Sequence, residues 1–177
     1  MTLQARLGTE RAGRRLVMPY IRKISEEGKY LVLPSIGEAD RNKDTCRELQ
    51  QYGDIFVQLG NGQMETIELK TEKENKYGNL FIVIWANKPR GTFEGRSGWL
   101  YTSKADVLLY TFLDTKEIFR ANFKELKEWV EERKDEFEEK VNWKNTQHNI
   151  IVGRVIPIKR LLQEGILEQI PSPDLDS

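Results

Sequence analysis

The sequence predicts an α/β (α+β) chain in which helices flank a central mixed β-sheet, and three patterns carry that prediction. Near the amino terminus Ala12, Leu16, Tyr20 and Ile24 recur every four residues, widened by Val17 and Ile21, which is the stripe of a core-facing helix. Two later runs, Asn79–Ala86 and Val107–Leu113, are almost wholly apolar, as strands covered on both faces must be. Two further runs, Asp54–Leu59 and Met64–Thr71, flank Gly60-Asn61-Gly62, strong turn chemistry that makes them a β-hairpin. At 177 residues, with no Gly-, Ser- or Pro-rich linker and no internal repeat, the chain can bury one sizeable core and reads as a single domain.

In chain order, the first helix is expected from Gln4 to about Glu27, with Gly28 placed to end it. Pro19 predicts a kink there, or two helices that meet. Lys29–Leu33 is a short strand stopped by Pro34. Residues 35–51 are polar and charged, a loop or short exposed helix in which Glu38 and Asp40 are spare carboxylates. After the hairpin comes a turn-like stretch, Thr71–Gly78, and then Asn79–Ala86, expected as a central strand of the sheet. Asn87–Ser97 has the Gly and basic content of a surface loop. Thr102–Asp106 leads into Val107–Leu113, with Asp106 fixing the start of that strand, and Asp114-Thr115-Lys116 turns into an antiparallel partner, Glu117–Asn122. Asn122 caps a helix expected from Phe123 to about Lys140, whose Phe123, Leu126, Trp129, Val130 and Phe137 are buried while its acids face water. Asn149–Ile158 reads as the last strand, Pro157–Leu167 as a short helix, and Pro171–Ser177 as a frayed tail.

Composition narrows the setting. A single cysteine, Cys46, excludes an intrachain disulfide and suits a reducing compartment. The amino terminus lacks a signal-peptide apolar core and no run approaches a membrane span, so a soluble cytoplasmic protein with no membrane partner is expected. The formal net charge is zero, but Glu125–Glu139 and Glu164–Ser177 carry −5 and −4, which leaves +9 on the rest. A basic face is therefore compatible with the neutral sum. His148 is the only histidine and, without Cys or His partners at metal-ligand spacing, cannot build a zinc site; it reads as structural.

The polar residues of the hairpin carry the chemistry. Alternation places Glu68 and Lys70 on one face of the second strand and Ile67 and Leu69 on the other. Asp54 starts the first strand, far from the turn, so antiparallel pairing brings it to Glu68 and Lys70. Two carboxylates that cannot separate attract a divalent cation, and Mg²⁺ (or Mn²⁺) needs only one or two carboxylates alongside water and phosphate oxygens. Asp54 and Glu68 are the candidate metal ligands, with Lys70 orienting or deprotonating a water or neutralising an oxyanion. The plain alternative is an edge hairpin with an exposed Glu–Lys pair worth a few tenths of a kcal/mol.

Asp54, thirteen residues, then Glu68-Leu69-Lys70 resembles the core motif of the PD-(D/E)XK nuclease superfamily, the restriction-endonuclease-like fold. The proline that usually precedes the Asp is missing, since Tyr52-Gly53 stands there. Gly8-Thr9-Glu10-Arg11 followed by the apolar stripe is similar to the first helix of archaeal-type Holliday-junction resolvases of that superfamily. By that resemblance Glu10 is a third acid at the metal site; otherwise it pairs with Arg14 on a solvated face. The resemblance covers Leu7 to about Leu113, with 114–170 read as a strand and helix extension of the same nuclease-like domain and 171–177 as tail.

The resemblance implies a Mg²⁺-dependent endonuclease, a hydrolase that cuts DNA phosphodiester bonds, in a resolvase-like or restriction-like manner. Arg11, Arg14 and Arg15 on the first helix and Lys88, Arg90, Arg96 and Lys104 further on are candidate phosphate contacts. Phe93, Trp99 and Tyr101 interleave with them as stacking candidates, though Trp99 and Tyr101 equally suit packing under the sheet. Small size leaves little room for a separate recognition domain, so a homodimer or larger assembly is expected. Two other classes fit the same residues: a catalytically inactive protein of this fold that binds DNA or a protein partner, and a protein-interaction module such as a phage inhibitor.

Overall fold

A computed structural model of the chain describes residues 3–34, 48–143 and 150–171. Glu38, Asp40, Cys46 and His148 lie outside the described residues. Helix α1 (Leu3–Ile24) runs through Pro19 as one element and stops three residues before Glu27. Leu16, Val17 and Ile21 are buried on either side of the proline, and this packing outweighs its cost of about 3 kcal/mol. Gly28 does not end the helix. Strand β1 (Ser25–Val32) begins at once, and Glu27 and Gly28, with φ of 50° and 72°, make an irregularity between Ser25 and Tyr30 that glycine accepts without steric cost.

The hairpin forms as expected, from β2 (Ile55–Leu59) and β3 (Met64–Glu72). Next come β4 (Asn79–Asn87), the two-residue β5 (Arg96–Ser97), one turn of helix α2 (Trp99–Thr102), β6 (Val107–Phe112) and β7 (Ile118–Asn122). Asn122 caps α3 (Phe123–Glu132) through its side-chain oxygen, which accepts from the Glu125 N–H at 3.1 Å. That helix ends eight residues before Lys140. A 3₁₀ turn at Lys134–Glu136 and β8 (Glu139–Trp143) replace its expected second half. Arg154 explains the stop, because its guanidinium donates to the carbonyls of Lys134 and Phe137 that a longer helix would use internally. β9 (Ile150–Pro157) and α4 (Ile158–Gln163) follow, and β10 (Glu168–Ile170), not Asn149–Ile158, is the last strand.

The strands divide into two sheets. A six-stranded mixed sheet has the order β1-β2-β3-β6-β7-β10, antiparallel except where β3 and β6 run parallel. A four-stranded antiparallel sheet has the order β5-β4-β9-β8. The apolar run Asn79–Asn87 is therefore central in the second sheet rather than in the first. Leu80, Ile82 and Ile84 are buried while Phe81, Val83 and Trp85 are half-buried, so continuous apolarity does not reveal which sheet a strand joins.

Two cores result, one on each face of the first sheet. On one face Leu16, Val17 and Ile21 of α1 pack on Ile55, Val57, Ile67, Val107, Leu109 and Ile118. On the other, Leu108, Tyr110, Phe112 and Phe119 meet Leu80, Ile82 and Val152 of the second sheet and Phe123, Leu126 and Trp129 of α3. Residues after 113 thus supply β7 and β10 to the first sheet and β8 and β9 to the second. No helix among the described residues is long and apolar enough to cross a membrane.

Candidate functional site

The site is built on the hairpin end remote from its turn. Ile55 lies opposite Ile67, and the Asp54 N–H donates to the Ile67 carbonyl at 2.7 Å, which carries the pairing one step further and sets Asp54 beside Glu68. Gly53, directly before it, has φ 132°, and a Cβ there would lie 2.7 Å from the Ile67 carbonyl oxygen. Only glycine fits that approach. Asp54 Oδ2 then accepts the Leu69 N–H at 2.9 Å, which fixes the carboxylate over β3.

Ile67 is fully buried against α1, so alternation turns Glu68 and Lys70 to the opposite face. Glu68 is only 7% exposed and both its oxygens are held. Oε1 accepts from the Lys70 ammonium, and Oε2 accepts from Ser103 Oγ at 2.9 Å. Lys70 Nζ also lies 5.6 Å from the centroid of the Trp99 ring, which packs edge-on against Phe123 at 6.0 Å.

Charge in this cluster is finely opposed. Burial pushes the Asp54 carboxyl above the usual carboxylate range and Glu68 adds to the push, while Lys70, the Leu69 N–H and Arg14 pull it back. Burial acting alone would lower the Lys70 pKa. Glu68, Asp54, the hydrogen bond to Glu68 and Glu10 together outweigh it and hold Lys70 above the usual lysine range. Lys70 is therefore an ammonium at neutral pH.

Glu10 and Arg14 reach this field because α1 lies almost on β3. A Cβ on Gly13 would sit 1.9 Å from Thr71 Oγ1, so the glycine allows backbone and strand to approach. Glu10 and Arg14 flank that contact on the helix, whereas Arg11 and Arg15 are exposed. Among the described residues no three His, Cys, Asp or Glu side chains gather as a metal cage; Asp54 and Glu68 are a pair, close enough for the charge of one to raise the pKa of the other.

Of the other candidates, Lys104 is nearest in the fold, its backbone following Ser103 and its ammonium 5.2 Å from the Tyr52 ring centroid. Asp106 anchors the start of β6, as expected, by accepting from the Thr66 N–H at 2.8 Å and the Thr66 hydroxyl at 2.7 Å. Arg96 lies instead on β5 of the second sheet, and Lys88 and Arg90 lie in the segment between β4 and β5, with Lys88 paired to Glu139 at 3.4 Å. Of the three aromatics expected to stack, Phe93 and Tyr101 are exposed and Trp99 is half-buried; Tyr101 donates to Glu131 and has the Lys127 ammonium over its ring. Ser103, Trp99 as a neighbour of Lys70, and Tyr52 are site residues that spacing did not single out. Ser103 meets Glu68 across 35 positions, and no local pattern carries such a contact.

Compared with known proteins, the chain matches no family model, no curated protein and no solved structure.

Proposed function

We propose that the protein is a Mg²⁺-dependent endonuclease, with Mn²⁺ as a substitute, that hydrolyses DNA phosphodiester bonds at Asp54, Glu68 and Lys70. The observation that carries this reading is the register of the hairpin, which sets two acids side by side and a protonated lysine against one of them. The donor set fits a hard divalent cation: two carboxylates on adjacent strands, one raised in pKa by burial that a bound cation would relieve. Asp54 and Glu68 would hold it. Bound there, Mg²⁺ supplies electrostatic stabilisation for the charge that builds on the phosphate.

The chain's own groups do the rest. Ser103 keeps Glu68 oriented through Oε2, and the Leu69 N–H does the same for Asp54. Lys70, which donates to Glu68, orients a water or neutralises the charge on a non-bridging phosphate oxygen. Glu10 is an auxiliary acid that supports the Lys70 charge. Arg14, Arg11 and Arg15 on α1, together with Lys104, are the phosphate contacts; Lys88, Arg90 and Arg96 serve a strand that extends over the second sheet.

The test is cleavage of labelled single-stranded, duplex and four-way-junction DNA with Mg²⁺ or Mn²⁺. Glu68→Ala and Lys70→Ala are each expected to cut the rate by at least about 10²-fold without unfolding the protein. The closed Lys70–Glu68 ion pair also suits a second reading, a non-catalytic protein that binds DNA or a protein partner. Tight DNA binding with no cutting on any substrate would establish that reading instead, and neither cutting nor binding would point to a protein partner.

A further inference from the structure

We propose that Tyr52 and Lys104 form a platform for one unpaired nucleotide beside the two carboxylates, which makes a strand with unpaired bases at the cleavage point the substrate class; this rests on the hydrolytic reading above. The Tyr52 ring is 42% exposed and lies 5.2 Å from the Lys104 ammonium. The backbone that carries it is anchored. The Tyr52 N–H donates to the Leu49 carbonyl at 2.9 Å, and the Lys104 N–H donates to the Gln51 carbonyl at 2.6 Å, which stitches the two segments together. Gly53, pressed on the Ile67 backbone, fixes where the ring leaves the chain.

Each half of the platform is tied to one carboxylate. Tyr52 precedes Asp54 by two residues, a span of about 7 Å at most, and Lys104 follows Ser103, whose hydroxyl holds Glu68. A phosphate held at Asp54 and Glu68 therefore brings its adjoining base within reach of the ring. A partly exposed ring with an ammonium over one face matches a nucleotide twice, by stacking the base on the other face and by pairing the ammonium with a phosphate. In a duplex both faces of each base are covered by neighbours, so the ring gains its contact only where a base is unstacked.

The test is fluorescence anisotropy with a labelled single strand and the matching blunt duplex, in Ca²⁺ to hold cleavage off, beside cleavage assays in Mg²⁺. Wild type should favour the single strand, and Tyr52→Ala should weaken that binding about tenfold while leaving duplex binding unchanged. Tyr52→Phe should retain the preference. Lys104→Ala should reduce the slope of log K against log salt on the single strand by about 0.7, a change that a merely structural contact would not produce. If Tyr52→Ala fails to fold, Tyr52→Leu carries the same comparison. Unchanged single-strand binding by a Tyr52 variant, in a protein that still cuts DNA, overturns the platform alone. Binding that depends on Tyr52 with no cutting supports the platform and overturns hydrolysis, and no binding to either DNA overturns both.

Discussion

Asp54 is a carboxylate that burial and Glu68 disfavour and that Lys70, the Leu69 N–H and Arg14 favour. Removing its charge should therefore help the metal-free fold and, on the proposed hydrolytic reading, end cleavage. Asp54→Asn is expected to raise Tm by a few degrees in EDTA, by scanning calorimetry, and to reduce cleavage to background; a lower Tm would show that the Leu69 hydrogen bond outweighs the charge. Asp54, Glu68 and Lys70 were legible in the sequence because strand alternation and hairpin register are local rules. Tyr52 and Ser103 were not, since one needs the 104 segment beside it and the other needs a contact 35 positions away. Glu10 stands between these cases: its helix was legible, but its influence on Lys70 depends on Gly13 lying against Thr71.

Glu164 joins two helices, and its protonation reports on their union. It follows α4 and accepts from Trp129 Nε1 of α3 at 2.7 Å and from Arg160 Nε at 2.8 Å, with Arg133 at 3.5 Å. Hydrogen bonds from Arg160 and then Trp129 hold its pKa below the usual glutamate range. A carboxylate lowered by folding stabilises the protein above its unfolded pKa and loses that contribution as pH falls through the folded value. Glu164→Gln should lower Tm at neutral pH, by at most about 3 °C because the group is solvated, and the difference from wild type should close as pH falls below the usual glutamate range. Thermal melts at neutral and at acid pH decide it. The first helix, the hairpin and the Asn122 cap were legible from periodicity and turn chemistry. The early end of α3 was not, because Arg154 of β9 takes up the carbonyls there, and β10, three residues long, has no pattern of its own.

At the scale of the whole molecule the first sheet separates two cores that share its strands: Leu109 of β6 faces α1 while Leu108, its neighbour, faces the second sheet. Ile67→Ala on one side and Leu108→Ala on the other should each cost about 2–5 kcal/mol. Because β3 and β6 are hydrogen-bonded partners, urea unfolding of either variant should remain one transition, with tryptophan fluorescence and far-UV circular dichroism coincident. Two resolved transitions would show the second sheet to be an independent unit. The α/β class was legible from the alternation of helical and strand patterns, but the division into two sheets was not, since an apolar strand satisfies either. The parallel step from β3 to β6 sends the chain through the second sheet before Ser103 returns to Glu68. Asp54 and Glu68 are joined within one hairpin, whereas Ser103 and Lys104 arrive on the far side of that excursion. Yet the Lys104 N–H on the Gln51 carbonyl and the Asp106 N–H on the Thr66 carbonyl fasten that returning segment beside the hairpin, so hydroxyl, ammonium and both acids form one unit carried by the first sheet.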